Sequence, residues 1–352
     1  MQYAQLGSTG IEVSRVAYGT SPFGQLFGPV PFEQARLALR RALELGVTFI
    51  DTSPYYGDAE ERLGRLSSEI PDSVIIGTKA GRNGFQEFDF SPESIRASVE
   101  NSLRRLRRDH VDILQLHDID FGDLDRILTD SYDELVRLRD AGKCRAIGMT
   151  CYSVPATRRV ILETEVDTIL NFSHGTLLDD SLDTVLAPLA RERGMGVMNA
   201  AAVSLGLLTP GVLADDAGAT GSVDLASPGS RRAARRMAEL AEERGVSIAF
   251  LANQFATQRI DCDTTLIGTT KIHHLEEAIA ASEAPLDDTL LGELVSLRAS
   301  IPENQWSVGR PENSIWDWEH CASGGGANPL CRAVRPARSL LVTAWPRAPH
   351  AP

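Results

Sequence analysis

Cysteine is scarce and oddly counted in this chain of 352 residues. The five (Cys144, Cys151, Cys262, Cys321 and Cys331) include no CxxC pair and have no histidine at zinc-finger spacing. A disulfide framework and a zinc module are therefore excluded as organising devices, and the scatter fits free thiols in a reducing compartment. Positive charge is also short. Lys plus Arg total 35 against 48 Asp plus Glu, and the net charge of -13 excludes nonspecific attraction to nucleic acid or anionic lipid. No apolar run reaches the ~18 residues of a membrane span, and the opening Met1 to Gly7 lacks the basic and apolar parts of a signal peptide, so a cytoplasmic location is expected. Missing too are a GxGxxG after a strand, a YxxxK pair, and HxH or HExxH. Other nicotinamide-binding folds and metal-dependent barrel hydrolases are thereby left without their motifs.

What is present is an alternation. Hydrophobic residues make up 43% of the chain, enough for a large core. Short apolar runs at 15–18, 47–50, 74–78, 111–116, 146–149, 168–171, 196–199 and 265–267 read as strands. Between them lie amphipathic stretches at 32–45, 59–66, 92–106, 123–140, 154–162, 182–193 and 231–244. Gly46, Gly142, Gly194 and Gly245 punctuate helix ends. Eight such strands predict the α/β class, a single (β/α)8 TIM barrel, with a C-terminal loop and helix extension, over residues 1–322. The turn Gly7-Ser8-Thr9-Gly10 predicts a β-hairpin ahead of it that plugs the barrel floor. Two segments break the rhythm: 213–230 is expected to be a lid or a disordered insert, and 323–352 a disordered tail.

Asp51, Tyr56, Lys79 and His117 each lie at or just past the end of one of these runs. In a barrel, such positions converge at the carboxyl ends of the strands. Taken singly, each has a plainer role, as a cap, a surface turn or a satisfied polar group. Together they put an acid, a phenol, an amine and an imidazole in one pocket. A free phenol, pKa ~10, is a poor base near neutrality. An adjacent ammonium, Lys79, is expected to lower that value, with Asp51 holding the buried amine charged. His117 would orient the substrate oxygen. Such a set suits proton transfer on a C–OH or C=O group, with hydride passing to or from a nicotinamide cofactor.

These residues resemble the aldo-keto reductase family over 3–310. Gly46-Val47-Thr48-Phe49-Ile50-Asp51-Thr52-Ser53-Pro54-Tyr55-Tyr56-Gly57 is similar to its first signature, and Ile76-Gly77-Thr78-Lys79 and Leu114-Gln115-Leu116-His117 match its lysine and histidine motifs. Ser21-Pro22-Phe23-Gly24, His117-Asp118-Ile119-Asp120-Phe121-Gly122 and Gly206-Leu207-Leu208-Thr209 resemble its branch of L-galactose dehydrogenases and bacterial aldose (L-fucose, D-threo-aldose) 1-dehydrogenases. The resemblance implies an enzyme that oxidises the anomeric carbon of a cyclic aldose to the lactone with NAD or NADP, Tyr56 acting as base. It also implies cofactor contacts from Thr150, Asn171, Ser204, Leu205, Gly206, Gly268, Thr269, Thr270, Lys271, His274 and Glu277. His274 stands where NADP-preferring members often carry arginine, so NAD is favoured, with Lys271 leaving NADP open. Phe23, Phe27, Asp118 and Trp306 are the implied substrate contacts, Asp120 another candidate. Two alternatives stay open: the reverse reaction, an NADPH-dependent aldehyde or ketone reductase with Tyr56 as acid, and a nicotinamide-binding barrel without turnover. The partner is a small sugar or carbonyl compound, with no nucleic acid and no membrane; the number of subunits is left open.

Overall fold

A computed structural model describes residues 1–213, 226–300 and 308–315. Most of the segment 213–230 expected as a lid or disordered insert (214–225), Trp306 and the expected tail at 323–352 lie outside the described residues, while 228–230 open a helix. The chain opens with an antiparallel hairpin, β1 (Tyr3–Gln5) and β2 (Glu12–Ser14). Eight strands follow: β3 (Val16–Gly19), β4 (Phe49–Asp51), β5 (Ile75–Ala80), β6 (Val111–Leu116), β7 (Cys144–Cys151), β8 (Thr168–Phe172), β9 (Gly196–Ala200) and β10 (Thr264–Gly268). Each pairs in parallel with the next and β10 pairs with β3, closing the expected barrel.

The helices in chain order are α1 (Phe32–Glu44), α2 (Ala59–Arg65), α3 (Pro92–Leu106), α4 (Leu124–Arg126), α5 (Tyr132–Asp140), α6 (Val154–Glu163), α7 (Ala187–Glu192), α8 (Pro228–Glu243), α9 (Ile248–Gln258), α10 (Ile272–Glu283) and α11 (Asp288–Ser296). Two stretches expected as single helices are interrupted by π-helical turns, Ile127–Ser131 after α4 and Leu182–Leu186 before α7. Periodicity alone does not reveal such a change of pitch. Helix α8 starts before its expected 231 because Ser227 caps it, accepting from the Ser230 N–H at 3.1 Å. Helix α9 escaped the sequence pattern because Leu251 to Thr257 are all buried, leaving no polar face to set a stripe.

Inside the barrel, one apolar layer takes a residue from every strand: Ala17, Phe49, Ile75, Ile113, Ala146, Leu170, Met198 and Leu266. Leu6, Ile11 and Val13 of the hairpin belong to the same cluster and close its lower end. The plug is pressed hard against the barrel. Gly7 adopts φ 52°, and a Cβ there would stand 2.3 Å from the Gly196 nitrogen. Side chains along a strand alternate sides. Counting in twos from the apolar layer therefore brings Asp51, Lys79, Gln115, His117 and Thr150 to the interior, nearer the carboxyl ends.

Leu6 is fully buried at the floor, so Leu6→Ala is expected to cost about 2–5 kcal/mol of stability in urea unfolding. The residues expected to carry the chemistry lie at the other end, so turnover per folded molecule should be unchanged.

Candidate active site

Asp51 ends β4 and Lys79 lies near the end of β5, within the strand rather than past it. Both are buried, and the Lys79 Nζ donates to Asp51 Oδ2 at 2.5 Å and to the Thr52 carbonyl at 2.9 Å. Gln115, interior on β6, adds a weaker bond to Asp51 Oδ1 at 3.4 Å. Burial pushes the Asp51 carboxyl above the ordinary aspartate range, and attraction from Lys79 opposes it.

Tyr56 sits in the turn after β4, its N–H bonded to the Ser53 carbonyl at 3.0 Å. Two glycines hold that turn. Gly57 takes φ 59°, and a Cβ there would come within 2.1 Å of the Gly24 carbonyl oxygen; one on Gly24 would stand 1.7 Å from the Tyr56 carbonyl oxygen. The loop after β3 thus packs backbone to backbone on the tyrosine, which only glycine permits. Lys79 Nζ lies 5.0 Å from the centre of the Tyr56 ring, and the His117 ring meets that ring edge-on at 5.6 Å. All four expected residues therefore share one place.

The electrostatics differ from the expectation. Tyr56 is raised well above the ordinary phenol value: burial is the main cause, and Asp51, Asp118 and Tyr152 raise it further against Arg82. The Lys79 ammonium, bonded to Asp51 and the Thr52 carbonyl, does not outweigh that burial. His117 is held well below 6.5 by burial and by Lys79 and Arg82, so it is neutral near pH 7. Both proton-handling groups are therefore uncharged.

Arg82, Gln115 and Tyr152 were not singled out in the sequence, whereas Asp118 and Asp120 were. Arg82, just beyond β5, is buried, pairs with the buried Asp118, and covers the Tyr55 ring at 3.8 Å. Asp118 also accepts from the Thr150 hydroxyl at 3.2 Å, while its N–H donates to Thr150 Oγ1 at 2.8 Å. Neither an exposed loop carboxylate nor an unengaged one, it lies 3.6 Å from His117 Nε2. Asp120 is a structural tie. It accepts from the N–H groups of Tyr152 and Ser153 at 2.9 and 2.6 Å, and burial pushes its carboxyl up to about 6. Tyr152 and Phe172 form an aromatic pair 4.8 Å apart after β7 and at the end of β8. Interior alternation would have found Gln115; a residue beyond a strand end, such as Arg82, has no period to betray it.

The expected cofactor contacts divide. At the end of β10 and the loop after β3, a cavity of 440 Å³ is lined by Gly268, Thr269, Thr270, Lys271 and His274, with Phe27, Pro29 and Val30 opposite. After β9, Ser204, Leu205 and Gly206 take φ of 47°, 51° and 99° in a tight turn, and the buried Ser204 hydroxyl has no hydrogen-bond partner. Left-handed non-glycine residues cost roughly 1–3 kcal/mol each and cluster at ligand clamps. An orphaned hydroxyl and a cavity with two basic side chains fit a dinucleotide laid along β9 and β10. Asn171, one residue past the interior Leu170, instead faces α6 and donates to Thr157 Oγ1 at 2.9 Å. Phe23 is fully buried against Tyr18, rings 6.4 Å apart, and so stands away from Phe27, which is 65% exposed at the cavity. Glu277 lies in α10 near His274, whose pKa burial lowers.

With that geometry in view, comparison with known proteins is specific. The model of the aldo/keto reductase family matches residues 15–299. The chain is 35% identical to the L-galactose dehydrogenase of Arabidopsis thaliana, covering 88% of this chain and 98% of that protein. It is 31% identical to a D-threo-aldose 1-dehydrogenase of Pseudomonas sp, over 57% of this chain and 69% of that protein. The glycerol dehydrogenase structure from Gluconobacter oxydans superposes with a TM-score of 0.69 at 24% identity, covering 88% of this chain and 98% of that one, which establishes a shared fold. Among the described residues, no helix is long and apolar enough to cross a membrane.

Removing one partner of the Asp51–Lys79 pair leaves a buried charge alone. Asp51→Asn is therefore expected to cost about 3–5 kcal/mol, measured by denaturant unfolding, whereas the double variant Asp51→Asn/Lys79→Met should recover most of that loss. Both should be inactive.

Proposed function

Since the chain belongs to the aldo/keto reductase family, and is an NAD(P)-dependent oxidoreductase, we propose that it oxidises the anomeric carbon of a cyclic aldose of L-galactose, L-fucose or D-arabinose type to the lactone. The observation that carries this reading is the meeting of Tyr56, Lys79 and His117 in one barrel mouth. Similarity to sugar dehydrogenases supports the substrate class. A bound nicotinamide dinucleotide would supply the hydride acceptor, or the donor in the reverse direction. Tyr56 takes the proton of the anomeric hydroxyl as its C–H bond gives up hydride and the C=O of the lactone forms. Lys79, fixed by Asp51, keeps positive charge beside the phenol oxygen's ring. Neutral His117 donates a hydrogen bond to the substrate oxygen and sets its distance from Tyr56. Asp118, held by Arg82 next to His117, is placed to accept from a neighbouring sugar hydroxyl.

A second reading has its own support. The raised Tyr56 pKa favours a protonated phenol, which suits reduction of an aldehyde or ketone with Tyr56 as acid. Direction is decided by pH. A base must be deprotonated, so oxidation is expected to climb with pH throughout the range below the raised phenol pKa, without levelling near neutrality, while reduction holds level through neutrality and falls only in strong alkali. His117, neutral throughout, should add no break near 6.5. Following reduced-nicotinamide absorbance with the three sugars and NAD+, and with aromatic aldehydes and NADPH, separates the readings; absence of any sugar turnover would rule out the first. Tyr56→Phe should lose roughly 10²–10⁴ in kcat in either case, and unchanged turnover would remove Tyr56 from its role.

For the cofactor, we assign the 440 Å³ cavity to the adenosine end, with Lys271 nearest any 2′-phosphate and Phe27 as an apolar wall. His274, lowered in pKa, contributes little charge there, which favours NAD. Titration should give Lys271→Ala an affinity for NADP+ weakened more than its affinity for NAD+; equal losses would place the phosphate elsewhere.

A further inference from the structure

We propose that Ser53 fixes His117 as the Nε2–H tautomer, so that the imidazole presents a donor, not a lone pair, to the substrate oxygen. Ser53 is fully buried, and its Oγ lies 2.9 Å from His117 Nδ1. The same oxygen accepts the Tyr55 N–H at 3.1 Å, across Pro54, as in a serine turn. That bond decides which way the hydroxyl proton points. With one lone pair engaged by Tyr55, the O–H is free to donate to Nδ1, and both groups are satisfied. In the other tautomer Nδ1–H would donate to Oγ. The serine proton would then have no acceptor among the described contacts, a buried unsatisfied donor. The far side of the ring agrees: Nε2 faces Asp118 Oδ2 at 3.6 Å, where a proton is attracted and a lone pair repelled.

Ser53 also accepts the Tyr56 N–H on its carbonyl at 3.0 Å. One residue thus anchors the turn that carries the proton-transferring phenol and, through its side chain, the ring that aligns the substrate. It is a positioning residue, acting through His117, and burial together with Lys79 and Arg82 keeps that ring neutral so that a single tautomer matters. The catalytic half of the inference rests on His117 being the donor to the substrate oxygen; the tautomer itself does not.

The test uses the full chain labelled with 15N-histidine, the His117 signals being assigned by their loss in His117→Asn. The wild type is expected to show a pyrrole-type Nε2 and a pyridine-type Nδ1. Ser53→Ala should give a mixture, with kcat for the sugar or carbonyl substrate reduced roughly 10- to 100-fold, the dissociation constant for NAD+ unchanged, and Ser53→Thr recovering both spectrum and rate. A protonated Nδ1 in the wild type overturns the inference, as does a Ser53→Ala variant whose spectrum and kcat match the wild type. A merely structural role would lower the melting temperature and NAD+ affinity while leaving the tautomer alone. If the spectrum is as expected and no sugar is oxidised, the proposed reaction fails and the tautomer assignment stands.

Discussion

The ion pair between Asp51 and Lys79 is the constraint around which the barrel mouth is built. Two opposite charges, each about 1% exposed, sit on neighbouring strands directly above the apolar layer that holds Phe49 and Ile75. Taking such groups out of water costs several kcal/mol per ion, and attraction offsets this only when the remaining donors and acceptors are filled. Here the Thr52 carbonyl and Gln115 complete the shell. Gly77 pairs with Asp51 across the ladder, and a Cβ on it would stand 3.0 Å from the Phe49 ring. The absence of a side chain there leaves room for the Phe49 ring beneath the charged pair.

Burial raises the Tyr56 phenol more than its charged neighbours lower it, and Asp51 itself adds to the opposing field. Arg82 and Asp118 pair a few ångströms on. The mouth therefore contains two ion pairs, Asp51–Lys79 and Arg82–Asp118, beside the uncharged Tyr56 and His117.

Much of this was legible in the sequence, and the reason is periodicity. Buried parallel strands read as short apolar runs, and their ends fell within a few residues of the observed ones, so the four chemical groups were found together. Helices with one wet face were found as well. What escaped were α9, buried almost all round, the π-helical turns before α5 and α7, and also α10 and α11, which none of the expected helices reached. Arg82 and Tyr152 lie beyond strand ends, where loop conformation decides direction. Asn171 shows the converse case. Its position at a strand end suggested the cofactor, but strand alternation counted from Leu170 turns it toward α6. The direction of the Tyr56 shift could not be read either, because it is set chiefly by the depth of burial, which a residue in a turn beyond a strand end does not reveal.

The barrel also divides labour by strand. The clustered Asp51, Tyr56, Lys79 and His117 come from β4, β5, the end of β6 and the turn after β4, whereas the strained Ser204–Gly206 turn and the cavity at Lys271 come from the ends of β9 and β10. The strand between the two sets is β3, paired with both β10 and β4, and the loop that leaves it touches both. Gly24 packs on the Tyr56 backbone, and a few residues later Phe27 and Val30 face Lys271. A ligand filling the cavity therefore bears on the same short loop whose backbone fixes the phenol. Residues 20–30 thus run between the cavity at Lys271 and the backbone that seats Tyr56.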